Sequence, residues 1–221
     1  MNTQGYHDYL DLGFHLTAAA GSDVPWGATI GEVRTYVHTG PRLDLDAWFD
    51  GLRMGRTFVS NGPALELSVD GQLPGSEISR SRGDQVTVRA RALSHPAIGV
   101  LRSLSLVGSG GVLQEVANPQ RRNELKMEIR RPIGESQWLA VSAVCENGAV
   151  AHTSPVYIIV DERPTWSRAR GPALVEHQLR LIENTGKAYS NLPGDTRGQG
   201  MHERLDRARD YYRKILAAMG K

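Results

Sequence analysis

The chain has 221 residues, of which 40% are hydrophobic and 23% charged, with a formal net charge of +2. This is ordinary globular composition, long enough for one large core or two smaller ones. It argues against a disordered chain and a strongly basic nucleic-acid binder, and no apolar run approaches the roughly 20 residues of a membrane-spanning helix.

Residues 6–12 read as the last turns of a helix stopped at Gly13, the usual place for a left-handed glycine. Phe14 to Ala20 predict a short buried strand of small residues, and Gly21-Ser22 let the backbone turn so that Asp23 stands at the strand tip. Aspartate is a favoured turn residue, so the plain reading of Asp23 is a cap on the turn into Val24-Pro25-Trp26-Gly27. The functional reading is a hard oxygen ligand for a divalent cation, offered where strand ends converge. Val33 to Val37 predict a strand broken by Gly40-Pro41. Asp44 is a candidate N-cap, and Leu45, Trp48, Phe49 and Leu52 fall at helical spacing before Gly55, a stripe expected to pack in a core. Thr57 to Ser60 read as a strand ended by Asn61-Gly62-Pro63. A domain boundary is expected here, with an α/β piece at 1–63.

From residue 64 to 160 the period changes to two. Leu65, Leu67 and Val69 alternate with Glu66, Ser68 and Asp70, then Val86, Val88, Ala90 and Ala92 repeat the pattern. Leu104 and Leu106, Val112 to Val116, and Leu125, Met127 and Ile129 give further strands. Trp138 to Cys145 is apolar on both faces and is predicted to be central. Glu146-Asn147-Gly148 is a hairpin signal, and Val156 to Val160 closes the series behind Pro155. About seven strands over roughly 100 residues predict a two-sheet, immunoglobulin-like sandwich. Cys145, the only cysteine, is expected to be a small core residue. Arg80, Arg82, Arg89, Arg91, Arg121, Arg122, Arg130 and Arg131 lie among acidic residues without aromatic partners, so they read as solvated faces and not as a nucleic-acid site.

Residues 161–221 predict a helical hairpin. The first helix opens at Gly171-Pro172 with Leu174, Val175, Gln178, Leu181 and Ile182 as its stripe. A polar, Gly-rich loop at 190–200 leads to a second helix carrying Met201, Leu205, Ala208, Tyr212, Ile215 and Met219 on one face. The expected fold class is thus α+β: an α/β piece, a β-sandwich and a helical hairpin.

Several stretches, in order along nearly the whole chain, carry a resemblance. They are Tyr9-Leu10-Asp11-Leu12-Gly13-Phe14, Ala20-Gly21-Ser22-Asp23, Gly31-Glu32-Val33-Arg34-Thr35-Tyr36-Val37, and the run from Ala47 to Pro63. Ala151-His152-Thr153-Ser154-Pro155-Val156-Tyr157 and Ala208-Arg209-Asp210-Tyr211-Tyr212 follow. Together they resemble the carboxyl-terminal part of PHP (polymerase and histidinol phosphatase) metallohydrolases of the CehA/McbA type. The resemblance implies that residues 1–63 are the end of a PHP-type α/β barrel, most of which would lie upstream of Met1. It implies hydrolysis of a phosphoester, or a related ester or carbamate, by a metal-bound hydroxide. The cofactor would be a divalent metal (Zn, Mn or Fe) in the complete parent, with none held tightly by this chain.

Asp23 is the position that carries over as a metal ligand. Arg34, on the next strand, is a candidate for binding an anionic substrate group bidentately, against the plainer reading of a surface ion pair. The Asp-x-His common in the family is Asp23-Val24-Pro25 here, so the histidine is absent. The seven histidines form no His-x-His pair and no His-Glu-x-x-His, and no nucleophile elbow or phosphate loop is present. Whether the chain is enzymatic by itself stays open. The alternative is a non-enzymatic sandwich that binds a partner. If barrel strands are missing, Leu10, Leu12, Phe14, Leu16, Trp48 and Phe49 cannot all find their partners within this chain, and a second copy or an upstream barrel segment would have to cover the rest.

Overall fold

The computed structural model describes residues 3–26, 29–41, 43–189 and 196–220. In chain order the elements are α1 (Thr3–Asp11), β1 (Arg34–Val37), α2 (Leu45–Arg53), β2 (Thr57–Ser60), β3 (Ala64–Val69), β4 (Glu77–Arg80) and β5 (Gln85–Leu93). Then come β6 (Leu101–Gly108), β7 (Gly111–Ala117), β8 (Glu124–Pro132), β9 (Gln137–Cys145), β10 (Val150–Thr153), β11 (Val156–Val160), α3 (Gly171–Ala188) and α4 (Thr196–Met219). They form two compact units, 1–165 and 166–221.

The period-two runs do become a sandwich. β3, β5 and β8 make a three-stranded antiparallel sheet, and the other eight strands make a second sheet. Leu65, Leu67, Val69, Val86, Val88, Leu125 and Met127 of the small sheet bury against Leu104, Leu106, Leu139, Val141, Ala143 and Ile158 of the large one. Each such side chain contributes about 1.5–3 kcal/mol when taken from water, which makes this shared core the main stabilising element. Cys145 lies in it as a small apolar residue, and burial pushes its thiol above the ordinary value.

β9 is the axis of the large sheet. One edge pairs with β6, while the other is shared end to end by β10 and β11. β10 leads on to β2 and β1, and β11 to β4 in parallel. β4 escaped the sequence reading because its four residues include only one buried apolar side chain, Ile78. The doubly apolar β9 serves two cores, as expected of a central strand. Leu139, Val141 and Ala143 face the small sheet, whereas Trp138 and Ala140 face outward, where Leu10, Val107 and Tyr157 complete a second cluster. α1 covers that outer face, ends at Gly13 (φ +86) as the sequence suggests, and is fastened by Trp138 Nε1 donating to Asp11 Oδ1 at 2.8 Å.

Three expectations need correction. The residues before position 64 are not a separate compact unit, because β2 pairs antiparallel with β10 and so extends the sandwich's own sheet. Phe14 to Ala20 are extended but are not a strand of either sheet. The stripe of α2 is not its packed face: Phe49 is 45% exposed, while Gly51 is buried against β1, where an added Cβ would lie 2.5 Å from Val37 Cγ1. A helix can approach a strand that closely only through a residue without a side chain. Of the six apolar residues not all expected to find cover, Leu10 and Leu12 are buried, at 0% and 2% exposure, while Leu16 and Phe49 are exposed. The N-cap stands as read, with Asp44 Oδ1 accepting from Ala47 N–H at 2.7 Å.

In the second unit α3 and α4 pack on each other as a helical hairpin. Gly186 lies beside Leu205, and Glu183 feels the charge of Arg209, so the two helices run antiparallel. Val175, Ile182, Tyr212 and Ile215 are buried, but Leu181 is exposed, which narrows the stripe read for α3. The loop at 190–195 lies outside the described residues.

Candidate functional site

Residues 14–22 cross the outer face of the large sheet, and side-chain hydroxyls hold them there in place of a neighbouring strand. Leu16 N–H donates to the Tyr157 hydroxyl at 2.9 Å, and the Tyr6 hydroxyl donates to Leu16 C=O at 2.8 Å. Ala18 N–H donates to Ser154 Oγ at 2.8 Å, and Thr57 Oγ donates to Ala18 C=O at 2.7 Å. Ala20 N–H and C=O both bond Thr35 Oγ, each at 2.9 Å. Ser22 Oγ then bonds both N–H and C=O of Val33.

At Ala18 the proton count fixes the direction of every bond. A hydroxyl has one proton to give. Thr57 spends its proton on Ala18 C=O, so the 2.7 Å contact between Thr57 and Ser154 must be a donation by Ser154. The result is a closed ring: Ala18 N–H to Ser154, Ser154 to Thr57, Thr57 back to Ala18 C=O. Thr57, Ser154 and Ala18 are all buried, so each bond is made where water cannot replace it. Burial also pushes the Tyr6 and Tyr157 phenols above their ordinary value, which keeps both protonated and able to donate. Thr57→Val keeps the shape but breaks the ring, and it leaves Ala18 C=O buried without its donor. The expected cost is about 2 kcal/mol in urea unfolding, whereas Thr57→Ser should cost less than about half of that.

Only alternate residues take part. The backbone groups of His15, Thr17, Ala19 and Gly21 have no hydrogen-bond partner among the described residues. The segment is therefore paired along one side and open along the other.

Asp23 follows directly. It is exposed, adopts φ +51, and its backbone carbonyl accepts from Trp26 N–H at 2.8 Å, so it does begin a turn. Its carboxylate has no partner among the described residues. Arg34 stands on β1 beside Val33, the residue bonded by Ser22, so the two candidate residues lie on adjoining segments. Arg34 Nη1 donates to the Tyr36 hydroxyl at 3.4 Å, and no carboxylate pairs with it among the described residues. Among the described residues no three His, Cys, Asp or Glu side chains converge on one point. Zinc sites use at least three protein ligands, and one exposed carboxylate does not fit that requirement. His15 is committed elsewhere, with Nδ1 at 2.8 Å from Glu77 Oε1 and its ring stacked on Tyr157.

The sequence reading passed over one pair. His7 of α1 and His152 of β10 meet with Nε2 to Nε2 at 2.8 Å. His152 Nδ1 lies 2.7 Å from Thr153 C=O, which can only accept, so Nδ1 carries the proton. His152 Nε2 is then the acceptor and His7 Nε2–H the donor. Burial, with the nearby His7 adding to it, lowers the His152 pKa to about 4. They are 145 positions apart, so no spacing rule could have joined these two.

Four of the eight arginines read as solvated faces form ion pairs: Arg80 with Asp70, Arg89 with Glu128, Arg91 with Glu124, and Arg121 with Glu146. No helix among the described residues is long and apolar enough to cross a membrane.

No family model matches the chain, and no curated protein matches it. Among solved structures, the fibronectin(III)-like modules of Clostridium thermocellum CbhA align over 44% of this chain and 97% of theirs, at 10% identity and TM-score 0.30. The superoxide reductase (neelaredoxin) of Ignicoccus hospitalis aligns over 45% of this chain and 81% of its own, at 13% identity and TM-score 0.29. Likenesses at that level carry no argument about function. The β-sandwich rests on the strand pairing and the shared core.

Proposed function

We propose that this chain is the closing portion of a PHP-type metal-dependent hydrolase, inactive by itself, whose parent cleaves phosphoester or related ester or carbamate bonds. The observation that supports this reading is the half-paired segment at 14–22 ending in an unpartnered Asp23. An extended backbone open along one side calls for another strand, because unmade hydrogen bonds of backbone groups are costly once they are covered. A barrel strand laid there would complete the pairing and bring further ligands towards Asp23. Such a segment, or a second copy, would also cover Leu16, Trp26, Ile30, Leu43 and Leu45, all exposed.

The reading is tested in two arms. Dialysed chain alone should retain no stoichiometric Zn, Mn or Fe by elemental analysis, and Asp23→Ala should change nothing. Supplied with a PHP-type barrel polypeptide, fused ahead of Met1 or added in trans, it should gain turnover of a phosphodiester or carboxylester that Asp23→Ala abolishes. Stoichiometric metal on the chain alone, or complemented activity indifferent to Asp23, overturns the reading. The second reading, a non-enzymatic binding module, is favoured by a separate observation, the apolar cleft on the sheet's other face.

A further inference from the structure

β1 and β2 carry two different faces. Thr35 and Thr57 point to the segment at 14–22, so the alternate residues Tyr36 and Phe58 point the opposite way, towards the inter-sheet side. The two rings stack, with centroids 4.5 Å apart and planes within 4°. Phe58 leans on the sandwich core, while Tyr36 stays exposed. The ladder continues one step past the strands, with His38 N–H donating to Arg56 C=O at 2.9 Å, which places His38 and Arg56 on the aromatic face too.

The small sheet does not reach this far. β3 is its edge strand and pairs only with β5, so its free side borders a cleft of about 360 Å³ under the Tyr36–Phe58 pair. Leu65, Leu67, Leu73, Pro74 and Leu93 form its apolar wall. Arg56 lines it with no partner among the described residues, whereas Glu66, the one carboxylate of the lining, is already engaged by Arg91 at 3.5 Å. The cleft thus joins a flat aromatic surface and an apolar wall to an uncompensated guanidinium, within the size range of small-molecule sites, about 300–1,000 Å³.

We infer that this cleft binds a small aromatic carboxylate, its ring against Tyr36 and its carboxylate on Arg56. Ring stacking favours offset parallel contact, and a guanidinium matches a carboxylate bidentately. The site is independent of any barrel: it lies on the face of the sheet opposite residues 14–22.

The test is titration of the full chain, by calorimetry or by chemical shifts, with trans-cinnamate and its neutral isostere trans-cinnamamide. Cinnamate should bind saturably, and the amide about tenfold more weakly, since charge-assisted bonds are about twice as strong as neutral ones. Arg56→Gln should bring cinnamate to the amide's affinity without altering the amide, while Tyr36→Ala should weaken both by a similar factor. Both side chains are exposed, so the fold should survive either change. Equal affinity for acid and amide, indifference of cinnamate to Arg56→Gln, or no saturation below about 10 mM overturns the inference.

Discussion

Trp138→Phe is expected to lower the unfolding free energy by about 2–3 kcal/mol, although most of the ring volume remains. The change removes one proton donor, Nε1–H, from a carboxylate, and Asp11 and Trp138 are both 0% exposed. A hydrogen bond to a charged group is worth about 1.5–3 kcal/mol, and a buried acceptor stripped of that donor forfeits it without compensation from water. Trp138→Ala adds the cavity and should cost about 5 kcal/mol or more, since large aromatic truncations alone cost about 3–5. Urea unfolding reads both. A cycle with Asp11→Asn isolates the bond itself: if Trp138→Phe costs as much in the Asp11→Asn background as in the parent chain, charge assistance contributes nothing.

The second large effect is on acid stability. The His152 pKa is about 4 in the folded chain against 6.5 for the free side chain. Between those values the unfolded chain binds the proton and the folded chain refuses it, so stability falls as pH drops from 6.5 towards 4 and is fully present above 6.5. The gap corresponds to about 3 kcal/mol. The cause is burial first and the neighbouring His7 second, because a protonated His152 would carry its charge out of water beside another histidine. Urea midpoints at about pH 4.5 and pH 7 should therefore differ strongly, and the difference should shrink in His152→Gln even though that variant is less stable overall. An unchanged pH difference in the variant would assign the acid sensitivity to other groups.

What the sequence disclosed and what it withheld divide along physical lines. Period-two burial is local, so the alternation from Leu65 to Ile129 and the doubly apolar β9 were legible, as were the Asp44 cap and the Gly13 stop. The stripe of α2 misled because helical spacing shows which side is apolar, not which side is pressed on a neighbour; Gly51, with no side chain at all, marks the packed side. Phe14 to Ala20 had the composition of a buried strand, but the groups that bond it are hydroxyls of Thr35, Thr57, Ser154 and Tyr157, and nothing in the segment itself announces them. Asp23 was legible as a turn residue, whereas the face on which Arg34 lies was not, since it follows from the pairing of β1 with β2. The His7–His152 pair and the cleft under Tyr36 depend on contacts between distant residues, and a pattern within one window cannot record them.

The hydroxyl seam also imposes an order of assembly. Ala18 is bonded to Ser154 across 136 positions, and Leu16 to Tyr157 across 141. During synthesis residues 14–18 therefore leave the ribosome long before Ser154 and Tyr157, whereas Thr35 and Thr57, which fasten Ala20 and Ala18, follow sooner. Those side chains come into place only when β10 and β11 have paired with β9, because the seam is anchored on β1, β2, the Ser154 corner and β11 at once. The beginning of the described chain is in this sense the last part to be fixed, a lashing drawn over a sheet that must already be built. Until then the Leu16 and Ala18 backbone groups are left to water or to whatever strand they meet first.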